Sequence, residues 1–213
     1  MLSGGMDSAT ALGLAIQECE ETACIHFNYH QRSEQKELAA FENLCAYYRI
    51  EQKLIVSMDF LKQIGGSALT DRNIPVPDET PPVGIIPSTY VPFRNGIMLS
   101  LTAAWAEVLS VDSIYTGFVE EDSSGYPDCR EIFVHSMEAA INLGRKPEVY
   151  CQLKTPLIHL KKSEILSLGY NIGVPYNLTW SCYNSGVNPC GVCPACRLRK
   201  QAFDELGLDD PVQ

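Results

Sequence analysis

The sequence predicts an α/β fold in which a parallel β-sheet is flanked by helices, with a small metal-binding segment near its C-terminal end. Three features predict this fold. Strand-like and helix-like hydrophobic patterns alternate along the chain, a glycine-rich turn opens the first helix, and four cysteines cluster in one short stretch. Alternation of strands with helices is typical of βαβ units, whose strands run parallel.

The first four predicted elements follow the glycine-rich turn. Residues 9–17 show helix-like spacing of their apolar side chains, and residues 23–29 alternate apolar with polar side chains, as a strand does. Residues 34–48 place Leu, Phe, Cys and Tyr side chains on one helical stripe. A short run rich in β-branched residues over 53–58 then predicts a second strand.

The middle of the chain begins with a predicted loop. Five prolines lie within residues 65–90, and because proline fixes φ and lacks a backbone donor, we expect a long surface loop there. Residues 95–109 are predicted to form an apolar helix and residues 112–117 a strand. Residues 130–143 are predicted to form a helix that ends at Gly144.

The last elements continue this alternation and set the predicted domain organisation. Residues 149–153 are predicted to form a strand and residues 161–168 a helix, and a final helix ends at Leu206. The pattern indicates a Rossmann-like parallel sheet. We expect residues 1–178 to form this α/β domain and residues 179–213 to form a zinc-binding segment and C-terminal helix packed on it.

Composition excludes several classes of protein. The chain has 213 residues, and its 46% apolar content is enough for one buried core. A formal net charge of -10 repels a phosphate backbone, which disfavours a nucleic-acid partner. No apolar run approaches the roughly 20 residues of a membrane span, and the N-terminus lacks a signal-peptide pattern. We therefore expect a cytoplasmic protein with no membrane partner.

The sequence Ser3-Gly4-Gly5-Met6-Asp7-Ser8 is the first motif with chemical content. Adjacent glycines let backbone N–H groups approach an anion, the two serines add hydroxyl donors, and the following helix contributes its positive end. The motif lacks the Gly-Lys-Ser/Thr ending of a P-loop and the G-x-G-x-x-G of a dinucleotide fold. An anion-binding loop is one interpretation, and a tight turn without a ligand is the other.

The second motif is a cluster of four cysteines within 15 residues: Cys182, Cys190, Cys193 and Cys196. Four soft thiolate ligands on a segment rich in turns suit tetrahedral Zn²⁺. Because four thiolates leave no open coordination position, we expect one structural zinc ion per chain. An iron–sulfur cluster and buried thiols without a metal are the alternatives. The nine cysteines in total favour a reducing compartment over a disulfide framework.

The opening motif resembles SGGxDS, the pyrophosphate loop of the N-type ATP pyrophosphatases. Three further stretches resemble the 7-cyano-7-deazaguanine synthase family within that superfamily: Tyr90-Val91-Pro92-Phe93-Arg94-Asn95, residues 121–130 (EDSSGYPDCR) and Leu178-Thr179-Trp180-Ser181-Cys182. Members of this family place an apolar strand before the loop. Only Met1 and Leu2 stand there in this sequence, so we expect the first strand of the sheet to be incomplete.

The resemblance implies a fold and a reaction. The fold is adenine nucleotide alpha hydrolase-like, and the enzyme is a ligase that forms carbon–nitrogen bonds. It converts 7-carboxy-7-deazaguanine and ammonia to 7-cyano-7-deazaguanine (preQ0) in queuosine biosynthesis. ATP is cleaved between its α and β phosphates, and an adenylate and an amide are intermediates. The implied partners are these small molecules and Mg²⁺ with ATP, and a homo-oligomer, with a dimer favoured.

The resemblance also implies roles for individual residues. The implied ATP-binding residues are Leu2, Ser3, Gly4, Gly5, Met6, Asp7, Ser8, Gly117 and Lys162. The implied substrate-binding residues are Arg94, Asn95, Glu121, Asp122, Tyr126, Asp128 and Arg130. The implied catalytic residues are Asp7, Lys162 and Arg94.

Physical chemistry supports part of this assignment. Asp122 and Asp128 flank a turn after the carboxyl end of a predicted strand, where α/β folds place ligands. A carboxylate there can accept the paired N–H donors of a guanine-like ring, and Tyr126 can stack on the ring. Arg94 begins an apolar helix, where its charge opposes the dipole unless an anion binds it. Without the resemblance, a solvated acidic loop and, for Lys162, a solvated lysine are alternatives.

Two other functions remain open from the sequence. Another N-type ATP pyrophosphatase, such as a tRNA-base-modifying enzyme or an amide-forming ligase, would use the same loop. The net charge of -10 counts against a polymer substrate. A zinc-ribbon interaction module, with an incidental glycine turn, is the alternative from a different class, and ATP binding would distinguish it from both enzymes.

Overall fold

The computed structural model describes residues 1–78, 82, 85–120, 125–146 and 149–212. Its helices are α1 (Met6–Glu18), α2 (Glu34–Tyr47), α3 (Phe60–Ile64), α4 (Arg94–Leu109), α5 (Glu131–Gly144), α6 (Lys162–Asn171) and α7 (Pro194–Leu206). Its strands are β1 (Cys24–Asn28), β2 (Lys53–Ser57), β3 (Ser113–Tyr115) and β4 (Gln152–Lys154). Short 3₁₀ turns cover Pro127–Cys129 and Tyr176–Leu178.

The strands form two parallel pairs, which confirms the predicted α/β class with parallel pairing. β1 pairs with β2, with Ile25 opposite Leu54, and β3 pairs with β4, with Ile114 opposite Leu153. β3 is shorter than predicted, and β4 starts and ends later than predicted. The helix α3 was not predicted, because its five residues are too few to show a helical period.

The first two residues lie between the strand pairs. The backbone N–H of Leu2 donates to Ile25 O (2.9 Å), and the terminal nitrogen of Met1 donates to Tyr115 O (2.8 Å). Within the described residues, Met1 and Leu2 therefore stand where the expected first strand would lie, and α1 is the first regular element.

Two apolar clusters hold the helices against the strands. In the first, Phe41 and Leu44 of α2 pack with Leu12 of α1 and Leu166 of α6. The second contains Leu99 of α4 together with residues of β3, α5 and β4. Full burial of a Leu or Phe side chain contributes about 1.5–3 kcal/mol. These clusters fix α1 and α4, whose first residues face the same cavity.

No helix in the described part of the chain is long and apolar enough to cross a membrane.

Candidate functional site

A cavity of about 310 Å³ opens beyond the carboxyl ends of β1 and β3, the side on which α/β folds bind ligands. Its volume lies in the range of small-molecule sites. The structure brings most of the predicted ATP and substrate residues to this one cavity. Those that line it are Leu2, Ser3, Gly5, Met6, Asp7, Ser8, Arg94, Asn95, Gly117, Tyr126 and Lys162.

The predicted phosphate loop is held by its own hydroxyls. The Ser3 and Ser8 Oγ atoms lie 3.0 Å apart, and Ser8 Oγ also donates to Gly5 O (3.0 Å). Gly5 N donates to Ser3 Oγ (3.3 Å). The loop thus presents its hydroxyl groups at the start of α1, where the helix dipole favours an anion.

The two loop glycines have different roles. Gly4 has a φ of 88°, which favours glycine, and a Cβ there would lie 2.7 Å from Glu37 O and 2.8 Å from the Ala40 side chain. Gly4 is therefore required by its packing against α2, whereas the sequence reasoning attributed both glycines to anion approach. Gly5 is the loop glycine that lines the cavity.

Asp7 and Lys162 meet across the cavity floor. Lys162 Nζ donates to Asp7 Oδ2, and the two side chains are 17% and 25% exposed. Asp7 Oδ1 is buried and has no hydrogen-bond partner among the described residues. Carboxylate oxygens are preferred ligands of Mg²⁺. An unpaired carboxylate oxygen beside an anion-binding loop therefore fits a magnesium ion that accompanies ATP phosphates.

Arg94 is fixed between two aromatic rings on the opposite wall. Its Nη1 donates to Tyr29 OH (2.7 Å), and its guanidinium carbon lies 5.3 Å from the Tyr29 ring centroid and 6.0 Å from that of Tyr126. Arg94 Nε is buried without a partner among the described residues. The side chain is thus positioned by cation–π contacts and keeps a donor for an anion.

Asp128, a predicted substrate residue, is not among the described residues that line the cavity, and it supports the start of α4. Its Oδ2 accepts the backbone N–H of Asn95 (2.9 Å), and its Oδ1 is buried and unpaired within the described structure. Burial raises the pKa of the Asp128 carboxyl, while the Asn95 N–H lowers it. Its neighbour Cys129 lines the cavity, and burial raises the pKa of this thiol to about 12. At neutral pH this thiol is protonated and a poor nucleophile.

The remaining predicted substrate residues have mixed outcomes. Arg130 is exposed, and its Nε donates to Pro127 O (3.1 Å), so its side chain points along its own turn. Glu121 and Asp122 lie outside the described residues. Contacts of all three with a substrate remain predictions.

The sequence reasoning missed a polar wall of the cavity formed by Gln31, Ser33 and Glu37. Glu37 Oε1 accepts from Ser33 Oγ (2.5 Å), and Glu37 Oε2 accepts from Gln31 Nε2 (2.9 Å). Gln31 also accepts the backbone N–H of Tyr29 (2.8 Å). The available signal was the position of Gln31 and Ser33 between β1 and α2, just beyond the carboxyl end of a strand, with Glu37 in the first turn of α2.

The four clustered cysteines converge as predicted, with their sulfur atoms all within 4.8 Å of one another. Tetrahedral zinc with Zn–S bonds of about 2.3 Å places its ligands about 3.8 Å apart, and Cys190 and Cys196 Sγ lie 4.0 Å apart. Cys182 Sγ accepts the backbone N–H groups of Asn184 and Cys190, each at 3.3 Å. Such bonds stabilise thiolates. The cluster could therefore hold a metal ion and fits zinc.

Comparison with known proteins agrees with this geometry. The family model described as "Queuosine biosynthesis protein QueC" matches residues 1–207. A 7-cyano-7-deazaguanine synthase of Nautilia profundicola is 51% identical over 212 residues, covering 100% of this chain and 95% of the relative. The proteins of the same name from Nitratiruptor sp. and Chlorobium chlorochromatii are 52% and 47% identical, covering 100% of this chain and 96% and 93% of those relatives.

The family match spans the phosphate loop, the cavity and the cysteine cluster, and the relatives are similar over the whole chain. The chain therefore belongs to the QueC family of queuosine biosynthesis proteins.

Proposed function

We propose that the chain converts 7-carboxy-7-deazaguanine and ammonia to 7-cyano-7-deazaguanine at the cost of ATP, in the cytoplasm. The observation that carries this proposal is the shared cavity: the anion-binding loop with Asp7 and Lys162 faces the same space as Arg94 and Tyr126. A nucleotide phosphate and a carboxylated ring can therefore meet there. The reaction is that of the relatives, which are named 7-cyano-7-deazaguanine synthase.

The first half of the reaction forms an amide. A carboxylate oxygen of the substrate attacks the α-phosphorus of ATP, the bond between the α-phosphorus and the bridging oxygen to the β-phosphate breaks, and pyrophosphate leaves. Ammonia then attacks the carbonyl carbon of the adenylate. AMP leaves with the former carboxylate oxygen, and loss of a proton from nitrogen gives the primary amide.

The second half dehydrates this amide. The amide oxygen attacks the α-phosphorus of a second ATP, and pyrophosphate leaves again. The nitrogen then loses its two protons as the carbon–oxygen bond breaks, so the second AMP leaves with the last oxygen and a nitrile remains. Both oxygens of the original carboxylate thus end in AMP.

The chain contributes charge stabilisation and orientation rather than a covalent group. The loop hydroxyls, the positive end of α1 and Lys162 stabilise the charge that develops on the departing pyrophosphate. Asp7 would hold Mg²⁺, which neutralises phosphate charge when bound. Arg94, held by Tyr29, is placed to bind the substrate carboxylate or the α-phosphate.

Recognition of the deazaguanine ring is assigned to the wall beside Arg94. Tyr126 lines the cavity and offers a face for stacking. Asp128 is bonded to Asn95 of that wall rather than lining the cavity itself, and its buried, unpaired Oδ1 would accept ring N–H groups from a substrate that reaches it. Burying such an acceptor without a partner costs about 1–3 kcal/mol, which a ring donor would recover.

The proposal extends to the domain organisation of the chain. We infer that the two strand pairs belong to one Rossmann-like sheet formed by residues 1–178, and that residues 179–213 form a zinc-binding segment.

We also expect a homodimer. Large apolar side chains are exposed on two neighbouring helices, with Val108 of α4, Ile132 and Leu143 of α5 at 79%, 71% and 89% exposure. The molar mass in solution tests this expectation.

The alternatives are less well supported. The binding function of a zinc-ribbon interaction module would not require the Asp7–Lys162 ion pair beside the glycine-rich loop. Other N-type ATP pyrophosphatases share the loop, but the family match over residues 1–207 favours the nitrile-forming reaction.

Product analysis tests the proposed function. The chain is incubated with ATP, Mg²⁺, ammonium and 7-carboxy-7-deazaguanine, and products are identified by mass spectrometry. We expect the amide, then the nitrile, together with AMP. Asp7→Ala should form none of them, whereas the matched surface variant Asp204→Ala should behave as the parent, because Asp204 is exposed and forms its ion pair with the exposed Lys200. Formation of ADP in place of AMP would contradict the proposal.

A further inference from the structure

We propose that Arg199 is a positioning residue for the phosphate loop, acting through the segment 179–182, here called the strap. The inference rests on the proposed function, because it assumes that the loop binds ATP phosphates. Arg199 lies on α7, which begins within the cysteine cluster, and the strap ends at Cys182 of that cluster. The strap therefore joins the metal-binding segment to the loop.

The strap touches the loop at one peptide bond. The backbone N–H of Trp180 donates to Gly4 O (2.9 Å). In a planar trans peptide the carbonyl and the following N–H point in opposite directions, so this bond orients the Gly5 N–H as well. Gly5 lies on the cavity. The Gly5 N–H donates to Ser3 Oγ (3.3 Å), and Ser3 also lines the cavity. A peptide between two glycines rotates easily, and the Trp180 N–H therefore fixes this peptide and, through it, the Ser3 hydroxyl of the anion site.

Arg199 forms hydrogen bonds to the strap on both sides of Trp180. Its Nη1 donates to Thr179 Oγ1 (2.7 Å) and Ser181 Oγ (3.3 Å), the residues on either side of Trp180. Its Nη2 donates to Tyr176 O (3.2 Å). A bidentate pair with Asp210, through Nε (2.7 Å) and Nη2 (2.8 Å), fixes the guanidinium in turn. Both side chains are nearly buried, at 4% and 5% exposure.

These contacts define the role of Arg199. A guanidinium has five N–H donors, and the five bonds to Thr179, Ser181, Tyr176 and the Asp210 carboxylate use all of them. None is left for a phosphate. Although Arg199 lines the cavity, its contribution to ATP binding therefore passes through the strap and the Gly4 carbonyl.

This role predicts that a substitution of Arg199 changes the KM for ATP but not the KM for 7-carboxy-7-deazaguanine. In Arg199→Gln we expect the KM for ATP to rise by about tenfold or more, since a loosened loop must be ordered on binding. The KM for 7-carboxy-7-deazaguanine should stay within about twofold, because the hydrogen bonds described for Arg94 and Asp128 go to Tyr29 and Asn95 and not to the strap. The matched control is Arg197→Gln on the same helix, whose Nε donates only to Val192 O. It should leave both constants unchanged.

A second pair of variants keeps the test decisive if Arg199→Gln does not fold. Thr179→Val removes the hydroxyl that accepts from Arg199 and donates to Tyr176 O (2.7 Å), whereas Thr179→Ser retains it. We expect Val to raise the KM for ATP and Ser to restore it, with equal zinc content in both.

Three results would overturn the inference. The first is a lower melting temperature with an unchanged KM for ATP, which would make Arg199 structural only. The second is an equal loss for both substrates, and the third is failure of Thr179→Ser to restore the parent value. If the parent itself forms no AMP from ATP, the proposed function fails too. Normal AMP formation by the parent with any of the three results overturns only the role of Arg199.

Discussion

Substitution of Gly117 by alanine measures how closely the nucleotide loop is packed against the end of β3. An added Cβ would lie 2.7 Å from Ser8 N and 2.8 Å from the Asp7 carbonyl carbon, whereas ordinary van der Waals contact begins at 3.4 Å. Both neighbours are backbone atoms, which cannot rotate away. The start of α1 must therefore shift by roughly 0.7 Å or remain strained.

The size of this shift sets the expected losses of stability and of activity. Overpacking of this kind costs about 1–3 kcal/mol of unfolding free energy, and displacement of a binding group by about 1 Å can reduce rates by roughly 100-fold. We therefore expect kcat/KM for ATP to fall by one to two orders of magnitude, about 10- to 100-fold, in Gly117→Ala. Unfolding in urea gives the stability, and AMP release gives the kinetics.

The matched control is Gly144→Ala. Gly144 is the last residue of α5, and among the described residues outside its own helix and chain neighbours no atom would lie within 4 Å of a Cβ there. This variant should retain full activity and equal or slightly greater stability. If Gly117→Ala instead showed the parent kcat/KM for ATP and the parent stability, the packing of the loop on β3 would not matter for nucleotide binding.

Three further predictions follow from the site. Cys193→Ser should lose bound zinc and melt about 10 °C lower. Cys19→Ser, outside the cluster, should keep the zinc content and the melting temperature of the parent. Elemental analysis that shows zinc retained in Cys193→Ser would contradict this. Asp128→Asn should weaken binding of 7-carboxy-7-deazaguanine in calorimetric titration and leave ATP affinity nearly unchanged, whereas equal losses would place Asp128 in the nucleotide site or the fold. Because burial raises the pKa of Asp128, the parent loses stability as the pH rises from the unfolded-state pKa of about 4 through the folded-state pKa. Asp128→Asn should therefore gain stability relative to the parent as the pH rises above about 4 in urea unfolding; a difference that does not change with pH would refute the raised pKa.

Local sequence patterns predicted the elements of this fold well. The turn at Ser3–Ser8, the helix that becomes α4 and the cysteine cluster each carry a signal within a few neighbouring residues: a glycine pair, an apolar helical period and a ligand spacing. Their structures follow those signals closely. A five-residue helix such as α3 offers no complete period and was missed.

Contacts between distant parts of the chain were not predictable from such patterns. The bonds of Tyr29 to Arg94, of Trp180 to Gly4 and of Arg199 to the strap each join residues more than 15 positions apart. Gly4 illustrates the consequence, because the sequence indicated that this glycine lets the backbone approach an anion, but it could not show the α2 backbone that excludes a side chain there. The assignment of Asp128 as a support for α4 likewise required the position of Asn95.

Transfer of labelled oxygen tests the central claim most directly. If the substrate carboxylate attacks the α-phosphorus of a first ATP in this cavity and the amide oxygen attacks that of a second, 7-carboxy-7-deazaguanine with both carboxylate oxygens replaced by ¹⁸O should give unlabelled nitrile. The two AMP molecules released per nitrile should then carry one ¹⁸O each, located by mass spectrometry or by phosphorus resonance. Unlabelled AMP, or label recovered in pyrophosphate or water, would contradict adenylation of the substrate and with it the proposed role of the loop.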